Sequence, residues 1–380
     1  MINPFETEER AAWRRTIADF TAAEVTPHVD EWDEGGDVPW PLHEKLGALG
    51  VWGFGIDERW GGLGFDDAFM RCSYNEELSK CGSGGVASAV NGRSISVGPI
   101  AKLASEEIKA RVLPDVLAGR TSSALAITEP GGGSDVASLK TRAERDGNHF
   151  VLNGVKTFMT GGMKASHFVV GARTGGPGLG GISLFLVDAD AEGFSRASVG
   201  KKQGWWASDT ATLYFDNCRV PAENMLGEED KGFLSIMNNF NYERAAMIAG
   251  CVGGMKVCLD DAIAYAQERV TFGKPMIKSQ VIRHKIADIS MRIDATEAYL
   301  NQICWAMNEG LHPVAEISKG KVFATKALEF TASECMQIMG GAGYLRGNRI
   351  ERTWREVKVM AIGGGSEEIM RDLAVRQMGL

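Results

Sequence analysis

At 380 residues the chain is long enough for two or three domains, and its 44% hydrophobic and 24% charged composition excludes a disordered, collagenous or coiled-coil protein. A net charge of -8, with no Lys/Arg run, argues against nucleic acid or an anionic membrane as partner. Seven Cys, at 72, 81, 218, 251, 258, 304 and 335, form an odd set without C-x-x-C spacing, which indicates free thiols in a reducing compartment.

The first twenty residues, MINPFETEERAAWRRTIADF, carry acids from Glu6 onward and no apolar core, so they read as neither a signal nor a transit peptide. No apolar run approaches the roughly 20 residues of a membrane span. The expectation is a mature chain starting at position 1, in the cytoplasm or an organelle matrix. From Glu6 to about Leu117 the text is helical, broken by Gly and Pro, which sets an α-helical N-terminal domain over 1–120. Short alternating runs follow (SSALAIT, HFVLN, VKTFMT, HFVVGA, ISLFLVD, TATLYFD), and Asp146-Gly147 and Asn153-Gly154 read as hairpin turns. The region 121–230 is therefore expected to be an antiparallel β domain. Long helical patterns return at about 231–269, 275–309 and 313–339, with a short one after Ser366, predicting a bundle over 231–380. The fold class is α+β.

Much familiar chemistry is missing. Gly176, Gly178 and Gly181 satisfy G-x-G-x-x-G, but the strand pattern ISLFLVD follows where a dinucleotide fingerprint needs a helix, so this is a hairpin loop. The six His are scattered without metal-ligand spacing, and no metal site is proposed. Neither G-x-S-x-G nor a Walker A sequence occurs. An α-β-α chain without metal motif or evident nucleophile points to an organic cofactor.

Five segments then fall in order: Ile127–Asp135 (ITEPGGGSD), Gly154–Thr160 (GVKTFMT), Gln267–Gly273 (QERVTFG), Gln337–Gly343 (QIMGGAG) and Gly363–Glu368 (GGGSEE). Together they resemble the acyl-CoA dehydrogenase family along the whole chain. The resemblance implies an α-helical N-terminal domain, a β-barrel middle and a four-helix C-terminal bundle, FAD as cofactor and α,β-dehydrogenation of an acyl-CoA thioester. It also implies a homotetramer and an electron-transfer flavoprotein as acceptor. Thr128, Gly133 and Ser134 would line the flavin and thioester, with Ser134 also a substrate contact. Phe158 stands where relatives stack a Trp on the flavin, and Thr160 matches a Thr near flavin N5. Arg269 resembles the arginine reaching the FAD pyrophosphate of a neighbouring subunit, with Phe272 and Gln280 beside it; Gln337, Gly340 and Gly341 resemble the segment lining that neighbour's adenosine half. Ser366 and Glu368 resemble the FAD-binding end of the last motif, and Ser366 reads equally as a helix N-cap. Twenty-six residues of helix would hold Glu243 and Arg269 about 39 Å apart, so one flavin ring cannot touch both.

Most family members place the catalytic glutamate where this chain has Gly364. A subgroup that includes isovaleryl-CoA and long-chain acyl-CoA dehydrogenases is similar in carrying it on the long helix before an Arg, where this chain has Glu243-Arg244. The resemblance thus makes Glu243 the base and the Gly364 backbone N–H a donor to the thioester oxygen. Asn241 stands where relatives have an Asp for pantetheine, and Arg244 is a further substrate-binding candidate. Arg93 falls near the family's acyl pocket and reads either as a contact for a polar acyl tail or as a surface charge. Trp205-Trp206 precede an SDT sequence where relatives often have Arg at the second position. Rival readings are a related enoyl-CoA reductase, flavin oxidase or monooxygenase, or a non-catalytic CoA-ester-binding protein.

Overall fold

The computed structural model describes residues 3–380, without the side chains of 234, 235 and 237–239. Seven helices come first: α1 (Glu8–Phe20), α2 (Val29–Gly35), α3 (Trp40–Ala48), α4 (Ala68–Ser79), α5 (Gly84–Asn91), α6 (Ser94–Leu103) and α7 (Glu106–Leu117). Thr7, Asp67, Ser83 and Ser105 start α1, α4, α5 and α7, each side chain accepting from the backbone N–H three residues on. Eight strands follow: β1 (Ser123–Ala126), β2 (Arg142–Asp146), β3 (His149–Thr160), β4 (His167–Arg173), β5 (Ile182–Asp188), β6 (Phe194–Ser198), β7 (Thr210–Pro221) and β8 (Met225–Leu226). The last part holds α8 (Gly232–Glu268), the small hairpin β9 (Val270–Thr271) and β10 (Lys274–Pro275), then α9 (Gln280–Asn308), α10 (Val314–Met339), α11 (Arg349–Ile362) and α12 (Glu367–Gln377). Among the described residues no helix is long and apolar enough to cross a membrane.

The strands form one sheet in the order β6-β7-β3-β2-β4-β5-β8, with β1 parallel on β4. Pairing is antiparallel elsewhere, apart from a single parallel contact between Arg142 of β2 and Arg173 of β4. One face wraps a core of Phe150, Phe168, Phe185, Leu213 and Val220. The other face, through Val169, Leu184 and Leu186, packs against the N-terminal helices and Ile236 of α8. The middle domain is thus buried on two sides where it meets helices, which explains the unbroken apolar runs of β4 and β5.

Two turn expectations part ways. Asp146 pairs with His149, so Gly147, at φ +61°, sits in a two-residue hairpin loop as the sequence predicts. Asn153-Gly154 is not a turn: β3 runs straight through it, with a register shift between Leu152 and Gly154. A Cβ at Gly154 would lie 2.4 Å from Thr141 Oγ1, so the glycine serves a close crossing within a bulged strand. The TGGPGLGG loop does join the antiparallel strands β4 and β5.

The C-terminal part has five helices where the periodicity suggested four, and the β9–β10 hairpin delays α9 to Gln280. The additional one, α11, hides because its buried face is charged: Arg352, Arg355 and Glu356 are buried, and both arginines pair with the buried Asp33 of α2. Helix packing here is mixed with buried ion pairs that tie the first and last domains together.

Candidate active site

α8 is unbroken across 37 residues, and its face is what positions Glu243. Ile236 lies against the sheet near Ile127, the residue that opens ITEPGGGSD; the two side chains approach the same point over Gly171. Glu243 is seven residues, or two turns, further on and therefore on the same stripe of the helix. Its Oε2 is buried without a hydrogen-bond partner among the described residues. Burial pushes the carboxyl up to about 7, against the opposing pull of Arg244 and Lys321. A carboxyl in this state takes up a proton near neutrality, the property a general base needs. Asn241, half a turn earlier, likewise has a buried Oδ1 with no hydrogen-bond partner among the described residues.

Met247, one turn beyond Glu243, touches the glycine loop that ends α11. A Cβ at Gly364 would meet Met247 Sδ at 2.9 Å, and Gly364 sits at φ +67°, a conformation that suits glycine. The loop is held by cations. Arg244 Nε donates to the Gly364 carbonyl at 3.0 Å, and Lys321 Nζ donates to the Gly363 carbonyl at 2.6 Å and to that of Gly365. Arg244 is thus turned onto the loop, and Glu243 is its neighbour in sequence. Ser366 ends the segment as N-cap of α12, accepting from the Ile369 N–H at 3.4 Å, while Glu368 is exposed and kept below the usual carboxylate range by its own N–H and Ser366.

The first two motifs are joined at the middle domain. Thr157 N–H donates to the Thr128 carbonyl at 2.9 Å. Glu129 accepts from Lys156 Nζ at 2.8 Å and from the backbone N–H groups of Lys140 and Thr141 at 2.6 and 2.8 Å. Lys156 is fully buried and also donates to the Ile127 carbonyl at 3.0 Å. Burial opposes ionisation of Glu129, yet Lys156 and these hydrogen bonds hold it below its ordinary value; burial lowers Lys156 to about 8. This pair fixes the loop carrying Gly133 and Ser134, both exposed, beside the end of β3. There Phe158 is 67% exposed at φ +62°, in the irregular stretch between Lys156 and Met159. A bulky residue held at positive φ with its ring in the open is a presented surface, not a core contact. Thr160 abuts the α5–α6 junction, its Cγ2 lying 3.3 Å from where a Gly92 Cβ would be.

A second group of expected residues lies at the other end of α8. Arg269 closes the helix and is exposed; Phe272 stands at full exposure in the β9–β10 hairpin, and Gln280 opens α9. Gln337, Gly340 and Gly341 are exposed where α10 ends. Helix rise alone puts Arg269, 26 residues along from Glu243, about 39 Å from it.

Arg93 departs from both sequence readings, the acyl-tail contact and the surface charge, because it is buried on backbone carbonyls. It is 1% exposed, donating to the Thr121 and Val116 carbonyls at 2.8 and 3.2 Å and to His43 Nδ1 at 2.5 Å, with its guanidinium 4.3 Å from the Trp52 ring. Its role is to satisfy the ends of other elements inside the N-terminal domain. Trp205 and Trp206 lie at a three-domain junction. Glu356 of α11 accepts from the Trp205 N–H at 3.0 Å and the Gly84 N–H at 2.8 Å, and Arg355 lies 3.7 Å from the Trp206 ring.

Sequence reasoning passed over Glu129, Lys156 and Lys321. The first two stand inside the quoted motifs, and the available signal was an acid and a base in separate motifs that must meet. Lys321 carries no local signal, because a helical lysine reads as solvated.

Three family models match this chain: the acyl-CoA dehydrogenase N-terminal domain over residues 7–120, the middle domain over 124–218 and the C-terminal domain over 230–379. The mitochondrial long-chain specific acyl-CoA dehydrogenase of Sus scrofa is 34% identical, covering 98% of this chain and 87% of its own. The solved acyl-CoA dehydrogenase of Geobacillus kaustophilus superposes with TM-score 0.95 at 33% identity over 100% of both chains. A glutaryl-CoA dehydrogenase of Mycobacterium smegmatis, solved in complex with FADH2, matches at TM-score 0.92 and 28% identity over 98% of this chain and 95% of that one.

Proposed function

The chain belongs to the acyl-CoA dehydrogenase family, an FAD-dependent family acting on acyl-CoA thioesters, and we propose that in this member Glu243 is the base that removes the Cα proton to give the trans-2-enoyl-CoA. The observation that carries this reading is the buried, unpartnered Glu243 Oε2 with a proton affinity near neutrality, one turn from Met247 and the Gly364 loop. Likeness to a long-chain specific acyl-CoA dehydrogenase supports the reaction class, and the resemblance of Glu243-Arg244 to the long-helix base position supports the choice of residue.

The residues present fit a flavin. Phe158 offers an exposed aromatic face, Thr128 is held beside it by the Thr157 N–H, Thr160 follows two residues on in β3, and a Cβ at Gly131, Gly340 or Gly341 would meet nothing, so ligand atoms can approach the backbone there. FAD, when bound, supplies the acceptor for the Cβ hydride at N5. The protein's own part is to bind, orient and take the proton. Glu243 receives the Cα proton as the enolate develops, and the Gly364 N–H, with no protein acceptor among the described residues, is the donor available to the thioester oxygen. Asn241 and Ser134 are the remaining substrate-facing polar candidates. Arg269, Phe272, Gln280, Gln337, Gly340 and Gly341 would serve the flavin of a neighbouring subunit, and Ser366 and Glu368, at the start of α12 beside the Gly364 loop, would be further FAD contacts. Exposed apolar side chains on the C-terminal helices, including Val281, Met291, Trp305 and Phe323, support the homotetramer this requires. An electron-transfer flavoprotein is the proposed acceptor.

A panel of straight, branched and polar acyl-CoA thioesters, assayed with an artificial electron acceptor, tests the reading. Reduction of the acceptor by at least one saturated thioester, with enoyl-CoA as product, is the expected result; no turnover with any of them contradicts it.

A further inference from the structure

The three consecutive carbonyls of Gly363, Gly364 and Gly365 are each gripped by a buried cation, and two of the three go to one side chain. Lys321 Nζ donates to those of Gly363 at 2.6 Å and Gly365, and Arg244 Nε donates to that of Gly364 at 3.0 Å. Lys321 stands on α10, is fully buried, and is carried close to α8 by the preceding Gly320, whose Cβ would lie 2.9 Å from Ile248 Cδ1. A buried lysine costs several kcal/mol in desolvation unless its donors are used, so its placement needs a reason. Holding one short loop at two points supplies it. The N–H of a peptide unit points opposite to its carbonyl. Pulling the Gly363 carbonyl toward Lys321 therefore directs the Gly364 N–H, which belongs to the same peptide, the other way.

We infer that Lys321 is a positioning residue of the active site: by fixing the Gly363 and Gly365 carbonyls it aims the Gly364 N–H at the thioester oxygen. This rests on the reading of Glu243 as the base. The electrostatics are consistent with it. Lys321 opposes the burial that raises Glu243, while burial and Arg244 bring Lys321 itself down to about 8. The other ionisable groups facing it are Cys251 and Glu367.

The test uses FAD-loaded Lys321→Met and Lys321→Arg, with anaerobic flavin reduction followed across pH. Lys321→Met should slow reduction about 10-fold to 100-fold, the scale of a misaligned oxyanion donor, and move the inflection of the second-order rate constant up by about one pH unit. Lys321→Arg, which keeps charge and donors, should restore the inflection and most of the rate. If Lys321→Met does not fold, Lys321→Gln, with an amide donor and no charge, carries the same expectation for the inflection. A Lys321→Met enzyme with wild-type rate and inflection overturns the inference, as does a slowed enzyme whose inflection stays put and which Arg does not rescue. The two readings fail separately. Should Glu243→Gln reduce flavin at the wild-type rate while Lys321→Met slows it, the base is misassigned and the aiming of Gly364 survives.

Discussion

Arg244 reaches from the helix that carries Glu243 to the carbonyl of Gly364, 3.0 Å away and 120 residues later in the chain. The turn of α8 that carries Glu243 and the Gly364 loop are therefore joined by one hydrogen bond, made by the arginine next in sequence to that carboxyl. Arg244→Met is expected to cost about 1.5–3 kcal/mol, the worth of a charged hydrogen bond, and to slow flavin reduction while FAD stays bound. Thermal denaturation and single-turnover reduction check both halves.

Removing Lys156 leaves Glu129 buried and unpaired between the Lys140 and Thr141 amides. Lys156→Met should destabilise by about 3–5 kcal/mol, and the double change Lys156→Met with Glu129→Gln should recover part of that loss. Denaturant unfolding of the three proteins measures the coupling.

Glu243 also makes stability depend on pH. Its folded value of about 7 lies above the ordinary 4.5, so between those limits the folded state binds more protons than the unfolded one. Stability then falls as pH rises through this window, and the loss is complete above it. Glu243→Gln escapes it: its stability advantage over wild type should be under about 1 kcal/mol at pH 5 and grow to about 3 kcal/mol by pH 8. An advantage that is flat with pH would contradict the burial argument.

Arg269→Ala removes a charged partner from an exposed helix end and should weaken FAD retention about 10-fold to 100-fold, with each subunit still folded. Gel filtration with absorbance at the flavin band measures it. Unchanged retention would count against the arrangement across subunits.

The α-β-α order was legible because each zone keeps one period over many residues, with Gly and Pro breaking the N-terminal helical segments. Glu243 was legible only through resemblance, since one acid in a helix looks like any other. What stayed hidden were buried charges. α11 interrupts its apolar residues Ile350, Val357 and Ala361 with the buried Arg352, Arg355 and Glu356; Arg93 reads as a surface or pocket residue, and Lys321 gives no signal, until their carbonyl partners, brought in from other elements, are in view. Asn153-Gly154 misled for a related reason: the glycine answers to Thr141 on the neighbouring strand, a tertiary contact that local turn chemistry does not encode.

The central claim is that Glu243 takes the Cα proton, and anaerobic stopped-flow reduction of the bound flavin by the best acyl-CoA of the panel tests it most directly. Glu243→Gln, nearly isosteric, should keep FAD and bind acyl-CoA, yet reduce the flavin at least 10²-fold to 10⁴-fold more slowly than wild type. Reduction at the wild-type rate would contradict the account and send the search to another carboxylate.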